Sequence, residues 1–356
     1  MRLQINSSKL SKAINVVAPV VKDKSPMPIL ANLLFEVSKS QIKITASNGE
    51  IRTSVSVELV SEKQFSFCVS KNLLGNILSS LPNVDIALEI HKNELTLTSN
   101  LGIYVLPIED SKLFPEKGDL KELNSFKVDA ELFLDGLKKA IPFVDTFTAN
   151  IDRVLIKSEK NKLNIAGISN ICFYEKEFDY NGDDIEVVLT TSSAKFLVDT
   201  FDVDDDLSIN YNDTFFCVYF DGVEVEITQL AVQFPNYRKI LNSLKKEKSL
   251  TFDLTTLSDS VKRISAISDK DNNSLVMDLE NNVAKLSYEN NFLNHRVKEE
   301  IACEYTDEPI RIGLNIKNLK QILSTVSEVK IFVTTPTLPI LFEEENTRIL
   351  LSPMKI

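Results

Sequence analysis

The side chains best suited to chemistry are few and scattered. Two histidines, His91 and His295, and four cysteines, Cys68, Cys172, Cys217 and Cys303, occur in a chain of 356 residues. The cysteines lie far apart with no C-x-x-C pair, so zinc and dithiol redox sites lack their spacing, and in a reducing compartment all four are structural thiols. His91 stands in a turn-like stretch, EIHKNEL, and neither histidine has a ligand-type neighbour at metal spacing. Hydrolysis or group transfer needs a nucleophile beside a base, or paired carboxylates in a cleft. The densest acidic group, Asp202 to Asp206, reads instead as a solvated loop after a helix. The nine glycines never form G-x-G-x-x-G or G-x-x-x-x-G-K-[ST], which removes the usual cradles for dinucleotides and nucleotide phosphates. No catalytic residue, metal or cofactor is expected.

The elements that must position any site come next. Apolar residues make up 43% and charged residues 26%, an ordinary composition for a folded protein, and the length predicts two or three domains. Apolar stretches such as Ile14 to Val21 fall short of the roughly 20 residues that span a bilayer. The opening MRLQINSSKL has no apolar h-region with a small-residue cleavage site. A cytoplasmic protein with no membrane partner is the expectation.

Self-comparison finds a period near ~120 residues that divides the chain into three. One half-unit is a short strand, a capping residue and an amphipathic helix: LQINSSKLSKAI from Leu3, FKVDAELFLDGLKKAI from Phe126 and LTFDLTTLSDSVKRI from Leu250. Asn6, Asp129 and Asp253 stand where a helix N-cap belongs. Leu10, Phe133 and Leu257 begin the apolar stripe, which Ile14, Leu137 and Val261 continue one turn later. The other half-unit runs strand into helix in FCVSKNLLGNIL, VVLTTSSAKFLV and RIGLNIKNLKQIL, each followed by two alternating strands with a short connection. The expected fold is α+β, three repeated domains over 1–122, 123–247 and 248–356, each with two helices packed on antiparallel sheets.

Charge is divided unevenly. The six expected helices, Ser8 to Val20, Ser70 to Leu81, Asp129 to Val144, Ser192 to Phe201, Thr255 to Ser268 and Asn315 to Val326, carry ten basic and five acidic side chains. The whole chain has a net charge of −11, so basic helices sit within an acidic remainder. A basic face of this kind suits a phosphate backbone, while the acidic remainder limits indiscriminate binding to nucleic acid. Lysine is also a good helix former, so solvated helix faces are the plainer reading of the same residues.

Several strings, in order along the whole chain, resemble the beta sliding clamp family of bacterial DNA polymerase III. They are FPNYRKIL at Phe234 to Leu241, IGLNIKNLKQIL at Ile312 to Leu323, PTLPILF at Pro336 to Phe342 and LLSPMKI at Leu350 to Ile356, with support from MPILANLLFEV and VLPIEDSKLFPE. The resemblance implies the DNA clamp fold and a head-to-tail homodimer closed into a ring, its helices lining the hole and its sheets forming the outer wall. Such a ring would encircle duplex DNA without sequence readout and act as a non-catalytic processivity factor. Lys9, Lys12, Lys71, Lys138, Lys139, Lys195, Lys262, Arg263, Lys317 and Lys320 would then face DNA, touching phosphates loosely enough to slide. The alternative is a three-repeat protein-binding scaffold that does not encircle DNA.

The family also implies a peptide-binding pocket used by the replicative polymerase, the clamp loader and repair proteins. Pro235, Lys239, Ile240, Asn315, Pro339, Pro353 and Met354 match its pattern, with Thr337, Leu350, Leu351 and Ser352 as wall residues and Ile151 where leucine is common. The stretch from Ile168 to Tyr174 (ISNICFY) departs from the family's Thr-Asp-Gly-His-Arg-Leu string. Ile168, Asn170, Cys172 and Phe173 fill corresponding positions, and the Gly, His and Arg are absent, so a narrower, more apolar pocket is expected. Asn272 and Asn318, standing where aromatic residues are common, remove ring surface from the opposite wall. Leu101, Ile103, Ala266 and Ile267 fall on the family's subunit seam, where an edge strand of one copy gains a partner in the other. Without the resemblance, the leucines and the seam residues read as ordinary core.

Overall fold

The computed structural model describes residues 2–22, 25–118, 120, 122–145, 152–201, 205–229, 233–269 and 273–356. Among the described residues seven α-helices occur: α1 (Ser7–Val17), α2 (Lys71–Ser80), α3 (Ala130–Ala140), α4 (Thr191–Thr200), α5 (Arg238–Ser243), α6 (Leu254–Ile267) and α7 (Ile316–Leu323). Leaving aside the short α5, the order of strand, helix, four strands, helix, three strands occurs three times in succession.

The capping residues act as their spacing predicts. Asn6 Oδ1 accepts from the backbone of Ser8 and Lys9 at 3.0 and 3.3 Å, Asp129 Oδ1 from Leu132 at 2.8 Å, and Asp253 Oδ1 from Thr256 at 2.7 Å. Each satisfies a backbone donor that the first helical turn leaves unpaired. Three helices end earlier than expected. α1 gives way to a 3₁₀ turn at Ala18–Val20 and α3 to another at Ile141–Phe143, each containing a proline. Pro19 and Pro142 have no N–H to continue the ladder, which ends the regular helix. α7 stops at Leu323, where Ser324 and Thr325 turn their hydroxyls back onto Gln321 O.

The chain forms two compact units, Met1–Leu134 with Lys195–Ala231, and Asp135–Ala194 with Val232–Ile356. The first unit contains a twelve-stranded antiparallel sheet in which Ile51–Glu58, from the first repeat, pairs with Val223–Thr228, from the second. α1 lays Leu10, Ala13, Ile14 and Val17 against this sheet and packs beside α2. The second unit contains an eight-stranded and a four-stranded sheet. In the larger, Cys172–Asp179 of the second repeat pairs with Thr347–Leu351 of the third. α6 and α7 pack together in this unit, burying Leu257, Val261 and Ile264 on one and Ile316, Leu319 and Ile322 on the other. α1, α6 and α7 thus present an apolar stripe to the core and leave their polar faces to solvent.

Candidate functional site

The basic helix residues lie on these outer faces. Lys9, Lys12, Lys138, Lys195, Lys262, Arg263, Lys317 and Lys320 are exposed, and Lys71 and Lys139 are half-buried. Four are tied to acids: Lys139 to Asp135 at 3.1 Å, Lys195 to Asp199 at 2.8 Å, Lys262 to Asp259 at 3.1 Å and Arg263 to Glu299 at 2.7 Å. Lys9 Nζ donates to the carbonyl of Glu58 at 3.2 Å. Among the described residues, Lys12, Lys71, Lys138, Lys317 and Lys320 make no ion pair.

Three of the expected pocket residues, Ile168, Phe173 and Leu350, meet in one apolar cluster of the second unit. Phe173 stands in register with Leu350, and both join a cluster with Leu155, Ala166, Val188, Phe234, Tyr237 and Leu341. The rings of Phe173 and Tyr237 stack with centroids 4.5 Å apart, and Phe234 meets Tyr237 edge-on at 6.0 Å. Ile168 packs at the border of this cluster, half-buried. Of the other expected residues, Pro235, Pro339, Pro353, Ser352 and Met354 are half-buried, while Lys239, Thr337 and Ile240 are exposed, Ile240 at 44%.

The C-terminal segment is fixed by backbone bonds, Ser352 N to Ile171 O and Met354 N to Gly313 O, both 2.8 Å. Gly313 is required there, because a Cβ would stand 2.6 Å from the carbonyl oxygen of Met354. Asn315 accepts from the backbone N–H of Asn318 at 3.1 Å, so its side chain starts α7. The ISNI turn is closed by Ser169, whose Oγ accepts from Cys172 N at 2.9 Å, and Asn170 donates to Asp145 Oδ2 at 3.2 Å.

Two expected wall residues are not brought to this cluster. Cys172 and Leu351 are register partners one step along from Phe173 and Leu350. Side chains alternate along a strand, so this pair turns to the opposite face, where both are buried. Phe173 and Leu350 are themselves floor rather than rim, being almost fully buried. Ile151 and Asn272 lie outside the described residues.

Sequence reasoning missed a buried charge cluster in this region. Glu175 is fully buried and accepts from Tyr237 Oη at 3.0 Å, with Arg238 Nη2 at 3.0 Å and Arg348 Nη2 at 2.7 Å. Arg238 also reaches Glu159 at 3.0 Å, and Arg348 pairs with Glu177. Burial pushes the Glu175 carboxyl up even against the two guanidiniums. The faint signal is alternation: in CFYEKEFD, Glu175 shares a face with Phe173 and must be buried if Phe173 is. No local pattern identifies Arg348 as its partner.

The seam residues are not core. Leu101 is 59% and Ile103 68% exposed, Ile267 is 43% exposed, and Ala266 is exposed too. The strand Gly102–Glu109 pairs fully with Glu94–Ser99, but on its other side only Ile108 and Glu109 find partners among the described residues. His295–Ala302 ends its sheet and, among the described residues, pairs only with Val283–Asn290. Both units thus have open edges, and among the described residues Arg2–Asn6, Asn124–Val128, Glu186–Thr190, Lys248–Leu250 and Ile310–Asn315 also end their sheets.

Among the described residues no group of three or more His, Cys, Asp or Glu side chains could hold a metal. Nor is any helix among them long and apolar enough to cross a membrane. The four cysteines are buried free thiols, and burial pushes Cys68, Cys172 and Cys217 up to about 12.

Comparison with known proteins gives one family. Residues 1–115 match the model of the DNA polymerase III beta subunit, N-terminal domain, and residues 243–351 that of its C-terminal domain. The beta sliding clamp of Synechococcus elongatus is 22% identical over 100% of this chain and 97% of its own, and that of Treponema pallidum 22% over 94% of each. The crystal structure of the DNA polymerase III subunit beta from Pseudomonas aeruginosa superposes with a TM-score of 0.94 at 18% identity, covering 100% of both chains. Another from that organism, bound to griselimycin, gives 0.92 at 18% identity with the same coverage. Matched near both ends by the two domain models and aligned end to end with curated members, the chain belongs to the DNA polymerase III beta subunit family.

Proposed function

We propose that this chain is a DNA polymerase processivity factor: a homodimeric, non-catalytic ring that encircles duplex DNA, slides on it and tethers its partners. The observation that carries this reading is the thrice-repeated pair of helices, each turning an apolar stripe to a sheet and lysines to solvent. Lysines on outer faces, with no Arg or Asn fork set for base edges, suit loose phosphate contact. Three domains over 1–122, 123–247 and 248–356 follow from the repeat. Of the open strand edges, Gly102–Pro107 and His295–Ala302 would pair between copies, with Leu101 and Ile103 against Ala266 and Ile267. Head-to-tail pairing of unlike edges twice over closes a ring.

The cluster around Phe173, Tyr237 and Leu350, with Pro235, Ile240, Pro339, Pro353 and Met354 above it, would receive an apolar side chain from a peptide of the polymerase, clamp loader or repair proteins. The Pseudomonas aeruginosa relative holds griselimycin. A cytoplasmic location accords with this role.

The scaffold reading draws on the ion pairs of Lys139, Lys195, Lys262 and Arg263, which reduce the positive charge free to meet DNA. One experiment separates the two. The chain is loaded by a cognate clamp loader onto nicked circular plasmid, half of which is then linearised, and retention is read by gel filtration. Retention on the circle with loss from the linear form establishes encirclement. Equal, salt-sensitive retention on both reduces the protein to an ordinary phosphate binder, and no retention with an active loader favours the scaffold.

A further inference from the structure

The first unit has a groove of about 900 Å³ on the face of its sheet, and it is the repeat counterpart of the apolar floor in the second. Crossing the first sheet from register partner to register partner meets Cys68, Leu34, Thr45, Ser54 and Glu224. The same walk in the second unit meets Val188, Leu155, Ala166, Glu175 and Arg348. Phe114 and Pro115 stand beside the first row as Phe234 and Pro235 stand beside the second. Two residues along each strand, the pair Phe173–Leu350 of the second unit is replaced in the first by Arg52–Glu226.

The two ends of that replacement are not equally satisfied. Arg52 donates to Pro115 O at 2.7 Å and lies 5.4 Å over the ring of Phe114, so it clasps the Phe-Pro segment to the sheet. Glu224 is saturated by Lys43 at 3.0 Å, Ser54 at 3.3 Å and Lys117. Glu226 is only 5% exposed, makes no ion pair among the described residues, and its Oε2 has no hydrogen-bond partner. Its support is the backbone N–H of Gly118, and burial pushes its carboxyl up against the pull of Lys117 and Arg52. A buried carboxylate with an open acceptor is stabilised by a donor that brings positive charge.

We propose that this groove is a second peptide-docking site, in which Glu226 receives an arginine or lysine side chain of an extended partner segment while a neighbouring apolar residue rests on Leu34 and Phe114. The extended form of the occupant rests on the peptide reading of the second unit; the cationic anchor does not.

The test compares two fluorescein-labelled peptides of sequence Ala-Leu-X-Leu-Ala, with arginine or its neutral isostere citrulline at X, by anisotropy with the full chain at low salt. The arginine peptide should bind at least about tenfold more tightly. Glu226→Gln should erase the preference, Glu226→Asp should keep it at lower affinity, and removal of 353–356 should leave it unchanged. Equal binding of the two peptides, or a preference that survives Glu226→Gln, overturns the proposal. So does loss of the preference on removing 353–356, which would place it in the second unit, and so does binding of spermidine without either peptide. Because retention on circular DNA is measured separately, failure here leaves the clamp reading standing.

Discussion

Tyr237 donates its phenolic proton at 3.0 Å to Glu175, a carboxylate with no exposed surface. Arg238 and Arg348 take up its remaining acceptor capacity, so one buried charge joins the Phe-Pro-Asn-Tyr-Arg segment to the strand Thr347–Leu351. Glu175→Leu removes the buried acceptor that both guanidiniums share, leaving Arg238 with Glu159 and Arg348 with Glu177, and should cost about 2 kcal/mol. Tyr237→Phe removes one donor and should cost about 1 kcal/mol. Urea unfolding measures both, and equal losses would show that the carboxylate is not the hub.

Glu299 links stability to pH. The Arg263 guanidinium and the Ser260 hydroxyl, the latter at 2.6 Å, hold its carboxyl below the ordinary 4.5. A depressed carboxylate contributes stability above its unfolded value, and the contribution is lost as pH falls through the folded one. The stability difference between the protein and Glu299→Gln should be widest near neutrality and shrink below about pH 4.5. The same variant frees Arg263, so the slope of log affinity for DNA against log salt should steepen by about one.

Gly313→Ala should dislodge the C-terminal segment, because the new methyl would meet both Met354 O, at 2.6 Å, and the side chain of Ile356, at 2.5 Å. Affinity for a partner peptide should fall about tenfold while the helical signal stays unchanged. Deleting 353–356 should produce the same defect, and intact binding in both variants would remove these residues from the pocket.

Ile103→Lys places a charge on an exposed strand edge without touching the core. Sedimentation should find a monomer with an unaltered melting profile. A dimer of undiminished affinity would move the seam elsewhere.

The thiols should be inert. Burial raises Cys68, Cys172 and Cys217 to about 12, so thiolate is scarce at pH 8 and access is closed. The native chain should react with an aromatic disulfide reagent only on the timescale of unfolding, and all four thiols should react at once in guanidinium.

Much of the fold was legible because its signals are local. Asn6, Asp129 and Asp253 announce their helices, and the apolar stripes beginning at Leu10, Phe133 and Leu257 announce the faces they bury. The prolines at 19 and 142 could have trimmed two helix ends, since their effect is also local. The apolar cluster at Phe173 and Leu350 was anticipated only through resemblance, and grouping Cys172 with Phe173 ignored strand alternation. The Glu175 network and the Arg52–Glu226 pair lay beyond sequence reading, because their partners are set by register between strands of different repeats.

That long-range register also sets a timetable for the chain as it is made. Ile51 pairs with Ile227, and Cys172 with Leu351, so each unit is assembled from stretches that leave the ribosome far apart in time. The stretch Asp135–Ala194 emerges before the Lys195–Ala231 stretch that finishes the first unit, and it waits for Val232–Ile356 to finish its own. Its strand Cys172–Asp179 keeps a naked edge until Thr347–Leu351 arrives and inserts between it and Ile340–Glu344. Folding dominated by such distant pairings is slow, and the nascent chain spends that interval open to wrong edge pairings and to the care of chaperones.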